Sequence, residues 1–286
     1  MLEAMDAQPM TAQTYATSLT YVQWRDHISA ESSKRRRVQD PERLRDLVHV
    51  DSWRRERFLA ATQAPRFLAL RQRRAVPWSN STLCEVPEPG RFAPARAART
   101  GPRWHARLAD AKPHAKLVYV GTDPLRDQGA LEDLRACEFS RLHRVRDGGV
   151  LDEDMVLESF LYGADSIVLE AVLLDDAQLA HLRAFVRELG AAVHIVVRQV
   201  ADAARAVAVE PEAILVDARH PFTGQVDATL HTQVLPSVPK TVIALAAGGL
   251  DSPALHANIW GLGARGLVLG DEPAAAVDWS ASALHP

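Results

Sequence analysis

Residues 163–190 read GADSIVLEAVLLDDAQLAHLRAFVRELG. The leading SIVLEAVLL is a short run of Val, Ile and Leu, a strand apolar on both faces. Directly after it, residues 176–189 are expected to form an amphipathic helix. Leu179, Leu182, Phe185, Val186 and Leu189 share one stripe, and Gly190 supplies the C-terminal stop. A strand buried on both faces needs cover on both, which parallel strands with helical crossovers provide.

The same alternation recurs on either side of this stretch. LVYV at 117–120 lies upstream of it, and VHIVV at 193–197, AILV at 213–216, TVIAL at 241–245 and GLVLG at 266–270 lie downstream. Such density leaves an open doubly wound sheet or a closed (β/α)8 barrel. No G-x-G-x-x-G comes after any of these strands, which weakens the dinucleotide-binding form. Further upstream, Leu44, Leu47, Val48, Phe58 and Leu59 fall at helical spacing, predicting a helical stretch over 41–74. Residues 1–40 are Ser/Thr/Gln-rich and then basic, and predict an irregular segment. The expected division is a flexible basic segment (1–40), a helical extension over the barrel (41–80) and an α/β barrel domain (81–286).

The 286 residues, 47% hydrophobic and 24% charged, suit one globular domain of that size. No apolar run reaches the ~20 residues that span a bilayer. The N-terminus lacks the basic-then-apolar order of a signal peptide, so a cytoplasmic protein is expected. Cys84 and Cys137 form neither a CxxC pair nor a zinc spacing; no metal and no cofactor are expected. Between Trp24 and Ala75 there are fourteen Lys/Arg against seven Asp/Glu, including KRRR at 34–37. Without interleaved aromatics this reads as a solvated face rather than a nucleic-acid site.

Longer phrases resemble indole-3-glycerol phosphate synthase. GADSIVL at 163–169 and the helix after it resemble that family's fourth strand and helix. DARHPFTGQVD at 217–227 is similar to its sixth-strand loop, N-x-R-D-L-x-T-x-x-x-D. TVIALAAGGLDSP at 241–253 resembles its seventh-strand AESGI turn, and GARGLVLGDEP at 263–273 its eighth-strand FLVGE end. TDPLRDQGALEDLR at 122–135 resembles the stretch after its second strand, and CEVPEP at 84–89 its first-strand AEVKRASPS. The resemblance implies a TIM barrel with a site at the C-terminal ends of its strands.

It also implies that the family's acid–base groups are mostly gone. The third-strand lysine position is Asp147, the fifth-strand glutamate Val196, the seventh-strand Glu-Ser pair Ala247-Gly248, and the sixth-strand asparagine Asp217. The first-strand glutamate is matched by Glu85, its lysine partner by Pro87. Each lost acid–base group removes about 10²–10⁴ in rate, so no synthesis of indole-3-glycerol phosphate is expected. Gly249 and Gly270 match the glycines that approach phosphate, but Asp271 stands at the serine position and would repel it.

In their place stand charges on the inward faces that the family register assigns. Glu170, Asp217, Glu85 and Asp147 form an acidic set suited to proton transfer. Arg198 and Arg219, with His220, Gly249 and Gly270 nearby and Arg146 as a further cation, suit the binding of a carboxylated substrate. Blander roles stand beside these: Glu170 with Arg198 as a buried ion pair, Arg219 as a brace for its own loop, His220 as a loop histidine, His194 as filling of the lower barrel. Two functions fit these residues. One is a repurposed enzyme performing a cyclisation, dehydration or isomerisation on a small carboxylated or aromatic metabolite. Its Ala/Arg-rich usage is associated with genomes in which secondary-metabolite pathways are common. The other is a non-catalytic barrel that binds a metabolite or a protein partner.

Overall fold

The computed structural model describes residues 20–36, 41–48, 53–72 and 115–269. Three helices come first: α1 (Tyr21–Arg36), α2 (Pro41–Leu47) and α3 (Trp53–Ala61). Next in order are β1 (Phe67–Gln72), β2 (Ala115–Gly121), α4 (Glu132–Ala136), β3 (His143–Asp147), α5 (Glu153–Leu161), β4 (Ser166–Glu170), α6 (Asp176–Glu188), β5 (Ala192–Val197), α7 (Ala203–Ala208), β6 (Ala213–Asp217), α8 (Leu230–Val234), β7 (Ile243–Ala247), α9 (Pro253–Gly261) and β8 (Gly266–Leu269). The eight strands are all parallel and close into a barrel, sealed where Phe67 pairs with Gly266 and Leu70 with Leu269. The (β/α)8 barrel expected from the sequence is the observed fold.

Alternation along each strand splits the apolar residues into two cores. Ala69, Leu117, Val145, Val168, Val196, Leu215 and Leu245 fill the lumen. Their neighbours Leu70, Val118, Ile167, Ile195, Val216 and Ala244 belong to the sleeve between strands and helices. Helix α6 forms where its residues predict. Asp175 caps it by accepting from Gln178 N at 2.8 Å, the Gln178 side chain returns the bond, and Gly190 leaves with φ +73°.

Three expectations upstream are corrected. The run 67–72 is a barrel strand, not the end of a helix; FLAL is too short for its period to distinguish the two, and basic residues come directly after it. The barrel therefore opens at Phe67 rather than at residue 81. Glu85, Cys84 and Pro87 lie outside the described residues, as do Gly270 and Asp271. Residues 21–36 are helical, not irregular. Trp24, Ile28 and Ser32 are the buried positions of α1, one per turn, too narrow a stripe to stand out in a polar sequence.

The extension closes both ends of the barrel. Helix α3 sits at the N-terminal end, where Phe58 enters the lumen against His143 and His194 and Arg55 N donates to Gly190 O at 2.9 Å. Helix α1, not the 41–74 stretch, lies across the C-terminal mouth.

Candidate functional site

The last inward position of several strands carries a charge. Arg71 comes from β1, Asp147 from β3, Glu170 from β4 and Asp217 from β6, while Arg198 stands directly after β5. Arg126 reaches in from the loop after β2. All six are buried.

They join into one closed ring of alternating sign. Arg71 Nη1 donates to Asp217 Oδ2 at 2.6 Å, and its Nε faces Asp147 Oδ2 at 2.8 Å. Arg126 Nη2 donates to Asp147 Oδ1 at 2.7 Å and Nη1 to Glu170 Oε1 at 2.8 Å. Arg198 grips Glu170 through Nε and Nη2, both at 2.8 Å, and donates Nη1 to Asp217 Oδ2 at 2.8 Å. A fourth carboxylate, Asp127, accepts from Arg126 Nε at 2.9 Å and from its Nη2 at 2.7 Å.

Isolated charges at this depth would be prohibitively costly, and each is tolerable only because it meets opposite charge on both sides. Burial pulls the Arg71 and Arg198 pKa values down, but the flanking carboxylates outweigh it and both end above the ordinary arginine value. Arg126 behaves likewise, burial being overcome by Asp127, Asp147 and Glu170.

Aromatic side chains cover the ring. Trp24 of α1 donates Nε1 to Asp123 Oδ2 at 2.8 Å, stands edge-on to Phe222 and lies under the Arg126 guanidinium, 5.3 Å from ring to Cζ. Tyr21 packs against His220, with ring centroids 5.3 Å apart. Asp123 also caps its own turn, accepting from Leu125 N and Arg126 N, and so positions Arg126. Opposite Ile28, Gly149 leaves the room that α1 needs: a Cβ there would lie 2.0 Å from Ile28 Cδ1.

Of the residues singled out from the sequence, the ring unites Glu170, Asp147, Asp217 and Arg198, with Glu170 and Arg198 as the anticipated buried ion pair. Arg219 points elsewhere: its Nη1 donates to Gly224 O at 3.1 Å, bracing its own loop. The His220 ring accepts at Nδ1 from Phe222 N and Thr223 N, a turn-forming role. Gly248, with φ +76°, backs onto Arg219 N, where a Cβ would lie at 2.5 Å; Gly249, with φ +68°, continues the tight turn. Arg146 is corrected. It faces the sleeve, not the mouth, donating to Met155 O and Ser159 Oγ, both at 2.6 Å. Burial, with Arg35 nearby, pushes its pKa down to about 10.

The sequence reading missed Arg71, Arg126, Asp127 and Trp24. Arg71 was hidden by the helical assignment. Arg126 and Asp127 stood in plain view within the 122–135 phrase, but as loop residues they have no periodicity to reveal their direction.

Deeper in the lumen, Tyr119 Oη lies 2.6 Å from His194 Nδ1, and His143 Nε2 bonds Ser166 Oγ. Burial drives the His143 pKa down to about 3 and that of His194 well below its ordinary value. His194 thus fills the lower barrel, as its strand position suggested. Cys137 is buried. Among the described residues no His/Cys/Asp/Glu group could hold a metal, and no helix is long and apolar enough to cross a membrane.

The sequence profile described as Indole-3-glycerol phosphate synthase matches residues 102–283. The indole-3-glycerol phosphate synthase of Campylobacter jejuni subsp. jejuni serotype O:23/36 (strain 81-176) is 26% identical over 161 residues, 56% of this chain and 62% of that protein. That of Mycobacterium bovis (strain BCG / Pasteur 1173P2) is 28% identical over 230 residues, 74% of this chain and 85% of the relative. The chain thus spans less than two thirds of the first relative's length. Among solved structures, 3-hexulose-6-phosphate synthase from Salmonella typhimurium shares the fold with TM-score 0.52 and 16% identity, over 76% of this chain and 94% of that one. A profile match across more than half of the sequence, on a closed eight-stranded barrel, places this chain in the indole-3-glycerol phosphate synthase family.

Proposed function

We propose that this chain is a non-catalytic member of its family, a barrel that works by binding rather than by turnover. The closed ring at the mouth carries the reading. A general acid or base must reach the substrate and exchange a proton with it. Asp147, Glu170 and Asp217 are each held between two guanidinium groups, and Trp24 and Tyr21 lie over them. Arg126 and Arg198 each donate through all three guanidinium nitrogens, whereas Arg71 donates Nη1 to Asp217 and its buried Nη2 meets no acceptor among the described residues. Set against four carboxylates, counting Asp127, the three arginines leave the ring with one formal negative charge, so among the described residues the ring offers no net attraction to an anionic substrate.

The repurposed-enzyme reading, with Glu170 or Asp217 moving a proton in a cyclisation, dehydration or isomerisation, requires the ring to open. One observation favours it: buried charges are costly, and they cluster here at the catalytic end of the fold.

Purified protein separates the two. Formation of indole-3-glycerol phosphate from the family's substrate, followed by indole fluorescence, is expected to stay at the uncatalysed rate; catalysed formation would sink the proposal. Carboxylated and aromatic metabolites are then screened by thermal shift and by mass spectrometry. Turnover of any of them that is lost in Glu170→Gln would replace the binding reading with the enzymatic one. The absence of turnover throughout supports binding, and a pulldown then looks for the protein partner.

A further inference from the structure

A cleft of about 860 Å³ opens at the N-terminal end of the barrel, opposite the charge ring. Helix α3 forms one side and the C-terminal half of α6 another, with the turn before β6 and the start of β7 between them. Its size falls within the ~300–1,000 Å³ typical of small-molecule sites.

The lining is cationic. Arg55 is neutralised by Glu212 at 2.8 Å. Arg183, Arg187 and Arg265 meet no carboxylate among the described residues. Arg265 donates to the carbonyls of Thr62, at 2.7 Å, and Ala64; Arg183 Nη2 donates to that of Glu210. Carbonyls satisfy donors but do not cancel charge. Arg183 Nε is buried and has no acceptor among the described residues, an unmade hydrogen bond that a folded protein normally avoids. Counting Glu210 against the three arginines leaves a formal charge of +2. Leu59 and Ile243 add an apolar wall.

We propose that this cleft binds a phosphorylated small molecule. Guanidinium forks match phosphoryl oxygens in geometry, the charge of +2 matches a phosphate dianion, and the apolar wall takes the ligand's body. The site agrees with a barrel that acts by binding, but it stands whether or not the mouth turns over a substrate.

Calorimetry of the full chain with inorganic pyrophosphate at low ionic strength tests it. Saturable binding of one ligand per chain is expected. Arg187→Ala, an exposed change that leaves the fold intact, and Arg183→Gln should each weaken it about tenfold, the effect of losing one charge-assisted hydrogen bond. Asp251→Asn, an exposed change after β7 at the other end of the barrel, should leave affinity unchanged. No saturable heat, many ligands per chain, affinity indifferent to both arginine variants, or a loss caused by Asp251→Asn would each overturn the assignment. None of these outcomes depends on the catalytic assay, so the two proposals fail separately.

Discussion

Arg198 meets Glu170 as a two-pronged fork, Nε to Oε2 and Nη2 to Oε1, both at 2.8 Å, tying the end of β5 to that of β4. Because Glu170 also accepts from Arg126, and Arg198 also donates to Asp217, this pair is one link of the closed ring and not an isolated bridge.

Breaking the link should be costly. Arg198→Met strands Glu170 and Asp217 with one guanidinium each, and breaking a buried pair this way destabilises by about 3–5 kcal/mol. Urea denaturation measures it. A loss under about 1 kcal/mol, the range of exposed pairs, would mean that the ring is hydrated in solution.

Trp24 anchors α1 over the mouth. Trp24→Ala removes its packing on Phe222 and Arg126 and its donation to Asp123, a change expected to cost about 3–5 kcal/mol for a buried tryptophan. Limited trypsin digestion should then cut at Arg25 or Lys34 before the barrel is degraded. Unchanged protection of these sites would contradict the anchoring role.

Gly149 and Ile28 should behave as a coupled pair. Gly149→Ala forces Ile28 aside and should destabilise by about 1–3 kcal/mol as an overpacked contact. Once Ile28→Ala has cleared the space, adding Gly149→Ala should cost nothing further. Additive losses in the denaturation cycle would refute the close approach.

The lumen histidines predict acid sensitivity. His143 is neutral in the fold, with its pKa held at about 3 against an ordinary 6.5 by burial and by Arg57 and Arg144. Below pH 6.5 the unfolded chain therefore takes up a proton that the folded chain refuses. Stability is complete above pH 6.5 and falls by about 1.4 kcal/mol per pH unit from this group as the pH drops towards 3. His194, depressed in the same direction, adds to the slope. His143→Gln should make the slope shallower by about that amount between pH 6 and 4; an unchanged slope would show that His143 is not buried neutral.

The parts of the fold legible in the sequence were those held by local pattern. Helix α6 could be read because its cap, stripe and stop occupy consecutive residues. β4 through β8 could be read because their apolar runs are bounded by helices of clear period. The charge of Glu170 could be noticed because it stands inside an apolar strand, while Asp147, Asp217 and Arg198 were placed inward by the family register. Helix α1 was not legible, since only Trp24, Ile28 and Ser32 touch the barrel, and β1 was not, since FLAL suits either period.

The sequence alone thus determined the alternation of strand and helix and, through its family phrases, the closed barrel. Whether the new charges were free to act on a substrate was decided by tertiary structure. Arg71 and Asp217 lie 146 positions apart, and Arg126 and Glu170 44. No local pattern records such pairings, because they arise only when barrel closure brings the strand ends to one rim, and the same residues could equally have faced an open site. There each buried charge is stable only beside its opposite, and the ring that sets each of them beside opposite charge is what the closed fold supplies.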